Sequence, residues 1–322
     1  MAKSKGGHVM PVETRSKLVL EVAAELVAHE DKPWRQAMVF IRDQGAENPW
    51  SARLFGTDTP GGIDQVANGE CDLAIINPSG PLTLAYRGTG PYKQPVPVRV
   101  ITCIPSYDQF AFNVHPDTGL NDFEEIGEKR VPLRISVRGQ QDHSVHFMLR
   151  HIMQAAGFSW EDLEGWGGKF VFQPGMPNNP GRVASYQKRE VNAIFDEAVG
   201  LAMQAAEANG MKTLPLREST VKKLEAMGYR RGIIEAKDYP WLKSDILSID
   251  FSGWPVYCHE NTPDDLVTAI CEGLEERKDR IPWQGEGPLP LERMCFDTPE
   301  GPLDVPLHPA AERFWRARGY LR

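Results

Sequence analysis

From residue 14 to residue 29 apolar side chains return at helical spacing. Leu18, Val19, Val22, Ala23, Leu26 and Val27 follow Thr14 and Ser16, which are plausible caps, and the spacing predicts an amphipathic first helix. Ala37 to Ile41 is a short apolar run that ends at Asp43-Gln-Gly45, before a loop rich in Gly, Pro and Asn. A helical segment then opens at Gly61-Gly-Ile-Asp, and Asp72-Leu-Ala-Ile-Ile76 reads as a buried strand stopped by Asn77-Pro-Ser-Gly80. Strand, helix and strand with short joints imply a parallel sheet.

The pattern continues with strands at Val98 to Ile104 and Gln109 to Val114, and a third at Leu133 to Val137 that ends in Arg138-Gly-Gln-Gln-Asp-His143. A helix with Val145, Met148, Leu149, Ile152 and Met153 on one face follows. Lys169 to Phe172, a helix around Arg182 to Lys188, and the strand Val191 to Phe195 closed by Asp196-Glu197 repeat the scheme. Near the end, Trp254 to Asn261 predicts a strand that runs into a helix, with Thr262 as N-cap, Pro263 in the first turn, and Asp264 and Asp265 behind it. Trp254 and Tyr257 read as core or hinge packing. The Pro- and Gly-rich tail from Pro282 to Pro309 either crosses the surface or reaches a second subunit. The fold class is α/β in two lobes.

With 322 residues, 41% hydrophobic and 25% charged, the chain can bury a large core and shows no sign of disorder. A net charge of −8 argues against a nucleic-acid partner, which selects clustered Lys and Arg. No apolar run approaches the ~20 residues of a membrane span, so no direct membrane insertion is expected. Met1 to His8 lacks the apolar stretch of a secretory signal, so the chain as written is expected in the cytoplasm, or in the periplasm if its native start lies upstream. Cys71, Cys103, Cys258, Cys271 and Cys295 are odd in number and contain no CxxC pair, and they read as free, buried thiols. No cofactor or metal is expected, since His143 and His146 alone, three apart on a helix, fall short of a metal's ligand set.

Several stretches together resemble the TAXI family, the solute receptors of tripartite ATP-independent (TRAP) transporters. They are Gly61-Gly-Ile-Asp-Gln-Val-Ala-Asn-Gly-Glu-Cys-Asp-Leu-Ala-Ile75, Leu133-Arg-Ile-Ser-Val-Arg-Gly139 with Ala155-Ala-Gly157, Arg189 to Phe195, Asn261 to Val267, and Val305 to Trp315. The resemblance implies a two-lobed type 2 periplasmic-binding-protein fold: residues 1–106 with 246–322 form one lobe, residues 107–245 the other, and crossover segments join them. It further implies a small amino acid or dicarboxylate such as glutamate as the ligand in the cleft, its acid groups held by N–H groups at helix N-termini, and transporter membrane subunits as partners. The chain departs from the family pattern at Gln140-Gln-Asp-His-Ser144, where the family has a small-residue turn.

Candidate ligand contacts follow from position. Asn77 and Ser79 lie beyond the carboxyl end of a strand, where open α/β sheets bind ligands. Thr59, Gly61 and Gly62 precede a helix and offer backbone N–H groups. Gln140, Asp142, His143, Ser144 and His146 cluster at a helix start, with Asp142 or Ser144 expected to cap it. Asp196 and Glu197 end a strand facing the same cleft, one expected there and the other capping the next helix. Arg138, Arg231 and Tyr107 are possible carboxylate partners. The leading function is a solute-binding protein closing on a small organic acid or amino acid. The alternative is a cytoplasmic lyase or decarboxylase acting on a small or aromatic acid through a His143/Asp196 acid–base pair, with Glu197 beside it.

Overall fold

The computed structural model describes residues 12–28, 36–42 and 51–321; the loop expected at 43–50 lies outside them. In chain order the first elements are α1 (Val12–Ala28), β1 (Ala37–Arg42), β2 (Ser51–Gly56), α2 (Gly61–Ala67), β3 (Leu73–Ile75), α3 (Gly80–Arg87) and β4 (Val98–Ile104). The middle of the chain forms β5 (Ala111–Val114), α4 (Glu125–Glu128), β6 (Arg134–Arg138), α5 (Ser144–Ala156), α6 (Trp160–Gly165), β7 (Lys169–Gln173), α7 (Pro180–Gln187), β8 (Ala193–Asp196), α8 (Val199–Ala208) and β9 (Lys212–Thr213). After α9 (Glu218–Met227) come β10 (Arg231–Ile234), β11 (Ile246–Ile249), β12 (Trp254–His259), α10 (Asp264–Arg277) and α11 (Pro309–Ala317).

Two five-stranded sheets result, in the orders β1-β2-β3-β12-β4 and β7-β6-β8-β5-β9. Their plans match. In each, two neighbouring strands run parallel, β2 with β3 and β6 with β8, and the fourth strand, β12 or β5, is antiparallel to both its neighbours. Those antiparallel strands are the ones by which the chain enters each sheet from the other. This is the two-lobed arrangement that the resemblance implies.

The two segments that cross between sheets lie side by side. Phe110 N–H donates to the Ile249 carbonyl at 2.9 Å, Phe251 N–H to Asp108 at 3.0 Å and Gly253 N–H to Ser106 at 3.0 Å. Phe110 and Phe251 then enter the second lobe's core, where Phe110 packs edge-on against Phe123 at 5.3 Å. The tail from Pro282 onward does not leave the molecule. It folds back on the first lobe, where Thr102 Oγ1 donates to the Met294 carbonyl at 2.8 Å and Leu289, Leu291 and Met294 are buried.

Caps differ in detail from expectation. At α10 the N-cap is Pro263 rather than Thr262, and no side chain caps it. At α5 the cap is His143, whose Nδ1 accepts from Val145 N–H at 3.2 Å; neither Asp142 nor Ser144 serves. All five cysteines are free and buried. The apolar face of α1 stands in solvent, with Leu18 65% and Val19 67% exposed. Among the described residues, no helix is long and apolar enough to cross a membrane.

Candidate functional site

Strands β6 and β8 run parallel, with Ser136 beside Ile194, so their carboxyl ends bring Arg138 next to Asp196. Arg138 Nε donates to Asp196 Oδ1 at 3.2 Å, and its Nη2 reaches Glu197 Oε1 at 2.6 Å and Asp196 Oδ1 at 3.1 Å. Arg182, from the first turn of α7, approaches from the other side and holds Asp196 Oδ2 at 2.6 Å. Two guanidiniums thus grip one carboxylate, and a second carboxyl lies beside it.

The two arginines differ in what they have left to offer. Arg182 is fully buried and places all five N–H groups, on Asp196, the Ser136 hydroxyl and the carbonyls of Gly175, Ser136 and Phe195. Arg138 is 19% exposed, and its Nη1 meets no acceptor among the described residues. Arg182 is therefore a fixed brace, whereas Arg138 presents a free edge to the cleft.

Burial sets the titration of this wall. It pushes Asp196 up, but Arg138 and Arg182 pull harder, and the group ends well below the usual carboxylate range. Glu197 goes the other way, well above that range, because burial and the neighbouring Asp196 charge outweigh Arg138. His143 is driven well below its ordinary value by burial and by Arg138, and burial takes His146 down to about 4. Both imidazoles are neutral at pH 7.

The facing wall comes from the first lobe. Asp58, in the turn after β2, uses its carbonyl to accept from Ser144 N–H at 2.8 Å and Ser144 Oγ at 2.6 Å, which latches the two lobes together. Its carboxyl is raised by burial, against the pull of Arg138. Asp108, on a crossover, is raised by burial too, although Ser106 and Gln284 donate to it. Thr57, Asp58 and Asn77 line a cavity of about 420 Å³ with Ile75, Ile76 and Trp254.

Of the residues singled out in the sequence, Arg138, Gln140, His143, Ser144, His146, Asp196 and Glu197 meet on the second lobe's wall, and Thr59 and Asn77 stand at the carboxyl ends of the first lobe's strands. Others do not join them. Asp142 is exposed, because His143 turns inward to cap the helix in its place. Arg231 is held on the surface by Glu218 and Glu225. Ser79 Oγ donates to the Ser252 carbonyl at 2.8 Å and tethers α3 to a crossover, while the Tyr107 hydroxyl donates to Ile233. The glycines are the first two residues of α2 rather than preceding it, and Gly62 has a packing reason, since a Cβ there would meet Thr57 Cγ2 at 2.9 Å and the Tyr257 hydroxyl at 3.0 Å.

Two expectations are corrected. The donors at the start of α5 are already taken, Ser144 N–H by Asp58, Val145 N–H by the His143 ring and His146 N–H by the His143 carbonyl, so no free amide remains there for an anion. The His143/Asp196 pair does not form as a hydrogen bond. His143 Nδ1 is committed to Val145, and both Asp196 oxygens are committed to arginines. Asp196 Oδ1 also accepts from Ala198 N–H at 3.3 Å, but α8 begins after Ala198 with no side-chain cap, so neither Asp196 nor Glu197 takes the capping part expected of one of them. Arg182, Asp58, Thr57, Asp108 and Trp254 were not singled out as contacts. A buried arginine has no signature in a single sequence, and only its place in the first turn after Asn179-Pro180-Gly181 was legible.

The matched sheets, the paired crossovers and the charged wall at the strand ends define a two-lobed α/β protein of the periplasmic-binding-protein-like class. Within that class the chain belongs to the NMT1-like family, whose model matches residues 61–319. No curated protein matches it. Similar solved structures include the alkanesulfonate-binding protein SsuA of Xanthomonas axonopodis pv. citri bound to MOPS, at 12% identity over 67% of this chain and 57% of that one, TM-score 0.33. SsuA from Escherichia coli is 13% identical over 67% and 57%, TM-score 0.34. PhnD1 from Prochlorococcus marinus, in complex with methylphosphonate, is 11% identical over 71% of each, TM-score 0.36. The chain thus spans 57% of the length of the first two.

Proposed function

We propose that this chain is a solute-binding protein whose lobes close on a small organic acid or amino acid, with the acid group on Arg138. The carrying observation is the contrast between the two arginines: Arg182 has every donor placed, while Arg138 keeps Nη1 unpaired at the mouth of the cleft. An anion that accepts from that edge gains a charge-assisted bond in a partly water-excluded site. Gln140 Nε2, buried and without a partner, is a second donor on the same wall.

The test is a thermal-shift and calorimetric screen of mono- and dicarboxylates and amino acids, with mass spectrometry of each hit. A ligand that binds only the folded state raises the melting temperature. The reading expects a hit recovered chemically unchanged, and at least tenfold weaker binding in Arg138→Lys, which keeps the charge but loses the fork. A hit converted to a new mass would make the protein an enzyme instead. The resemblance to TAXI receptors supports a membrane transporter, of the TRAP type, as partner, and with it a periplasmic site of action. Recovery of the native protein in the osmotic-shock fraction checks that placement.

A further inference from the structure

Exposed apolar surface in this molecule is concentrated rather than scattered. Six of the thirteen exposed large apolar side chains among the described residues, Leu18, Val19, Leu20, Val22, Leu26 and Val27, sit on the single helix α1. A continuous apolar strip of this kind marks a contact surface. The helix also shows which of its sides faces its own lobe. Val27 is the least exposed of the six, at 37%, and lines the first-lobe cavity beside Ala37, while Ala23, one turn before it, is half-buried. Leu18, Val19, Val22 and Leu26 are all more than half exposed and turn outward.

At 3.6 residues per turn, Arg15, Leu18, Val22 and Glu25 fall in one stripe about 80° wide on this outward side. Their spacing, i, i+3, i+7 and i+10, is that of a coiled-coil seam. The seam is complementary to its own reverse. Laid antiparallel on a second copy, with the two-fold axis at the level of Leu20, the midpoint of Val12–Ala28, it sets each Leu18 on the other copy's Val22 and each Arg15 on the other copy's Glu25. Parallel pairing would instead stack like charges at both ends. Neither Arg15 nor Glu25 has an ion-pair partner among the described residues, so both are available for such a contact. A lipid surface matches less well, because Glu21 and Glu25 accompany Lys17 where anionic lipids select a basic polar face. We infer that α1 is the contact face of a two-fold homodimer in which the helices of two copies pair antiparallel. A helix of 17 residues is about 26 Å long and offers each copy on the order of 400 Å², under the ~800 Å² of a standard interface, so the dimer is weak and forms in the micromolar range.

The test is sedimentation velocity with light scattering on the full chain, from about 1 to about 300 μM, where mass action moves a weak dimer through its transition. A monomer–dimer equilibrium is expected. Leu18→Glu should weaken it by about tenfold or more, since it sets a charge in the middle of the seam twice over. Arg15→Glu and Glu25→Arg should each weaken it by about fivefold through like charges at both ends, and the double variant Arg15→Glu/Glu25→Arg, which exchanges the pairs, should restore wild-type association. All these positions are exposed, so at the dilute end each variant should melt within about 2 °C of wild type, which separates a lost contact from a lost fold. A chain that stays monomeric throughout overturns the inference: protection of the α1 amides from hydrogen exchange would then give the strip to the chain itself, and flotation with anionic vesicles would give it to a lipid surface. A dimer indifferent to Leu18→Glu, or a double variant no better than the single ones, overturns it too.

Discussion

Replacing Arg182 by Met keeps much of the side chain's length and removes its five donors, which tests whether the fixed brace holds the charged wall together. Asp196 would keep Arg138 but lose the 2.6 Å contact at Oδ2, and the Ser136 and Phe195 carbonyls would lose buried donors. Breaking a buried pair from one side costs about 3–5 kcal/mol, because the remaining charge stays desolvated. Folding entropy of about 2 cal/mol/K per residue gives roughly 0.7 kcal/mol/K for a chain of 322 residues. A loss of about 4 kcal/mol then lowers the melting temperature by about 6 °C if the chain unfolds as one unit, and by about twice that if the second lobe melts alone. Calorimetric melts of wild type and Arg182→Met, with urea midpoints alongside, read the change. The double variant Arg182→Met/Asp196→Leu removes both charges and should recover part of the loss. A single variant within about 1 °C of wild type, or a double variant less stable than the single, would refute the assignment of Arg182 as the brace.

Protonation of His146 should cost stability in acid. Its imidazole is held at about 4 by burial, against roughly 6.5 in the unfolded chain, so its contribution is complete above pH 6.5 and is lost as pH falls toward 4, by up to about 3 kcal/mol; His146→Gln should flatten that part of the urea-midpoint profile relative to wild type. Ser144→Ala removes one of the two bonds to the Asp58 carbonyl, worth about 1 kcal/mol, and should shift small-angle scattering of the free protein toward a larger radius of gyration; an unchanged curve would mean the latch holds nothing shut. Gly62→Ala gains about 1 kcal/mol of helix propensity but meets Thr57 Cγ2 at 2.9 Å, and overpacking of about 1–3 kcal/mol should win, lowering the melting temperature. Adding Thr57→Ser removes the nearer of the two clashes, leaving the Tyr257 hydroxyl at 3.0 Å, and should restore part of the loss.

The alternation of strands and helices was legible because each element carries its own period. The strand ending at Arg138 and the strand ending at Asp196 were both found this way, and their pairing followed from the parallel sheet. What the sequence hid was partnership across distance. Arg182 lies 46 residues from Ser136, and nothing local marks it as different from the exposed Arg189. In the sequence Arg231 offers the same guanidinium fork as Arg138, and only the tertiary fold gives it to Glu218 and Glu225. The caps at α5 and α10 were each misplaced by one residue, since Asp142, His143 and Ser144 all carry capping side chains and backbone geometry chooses among them. The apolar stripe of α1 gave the correct element, but its period carried no information about whether a neighbour covers it.

The paired crossovers give the molecule an uneven mechanics. Phe110 and Phe251 are seated in the second lobe's core, so the ribbon they belong to is a stiff extension of that lobe rather than a neutral joint. Any rotation of one lobe against the other would then concentrate beyond it, where the ribbon runs out at Ser106 and Gly253. Gly253 has a positive φ of +80°, and a Cβ there would strike Pro302 at 2.6 Å and Cys103 Sγ at 2.9 Å, so the pivot bears directly against the returning tail of the first lobe. The tail is thus packed where a hinge between the lobes would turn, so a substitution at Pro302, far from the charged wall, is expected to change the radius of gyration of the free protein in small-angle scattering while leaving ligand affinity nearly unchanged.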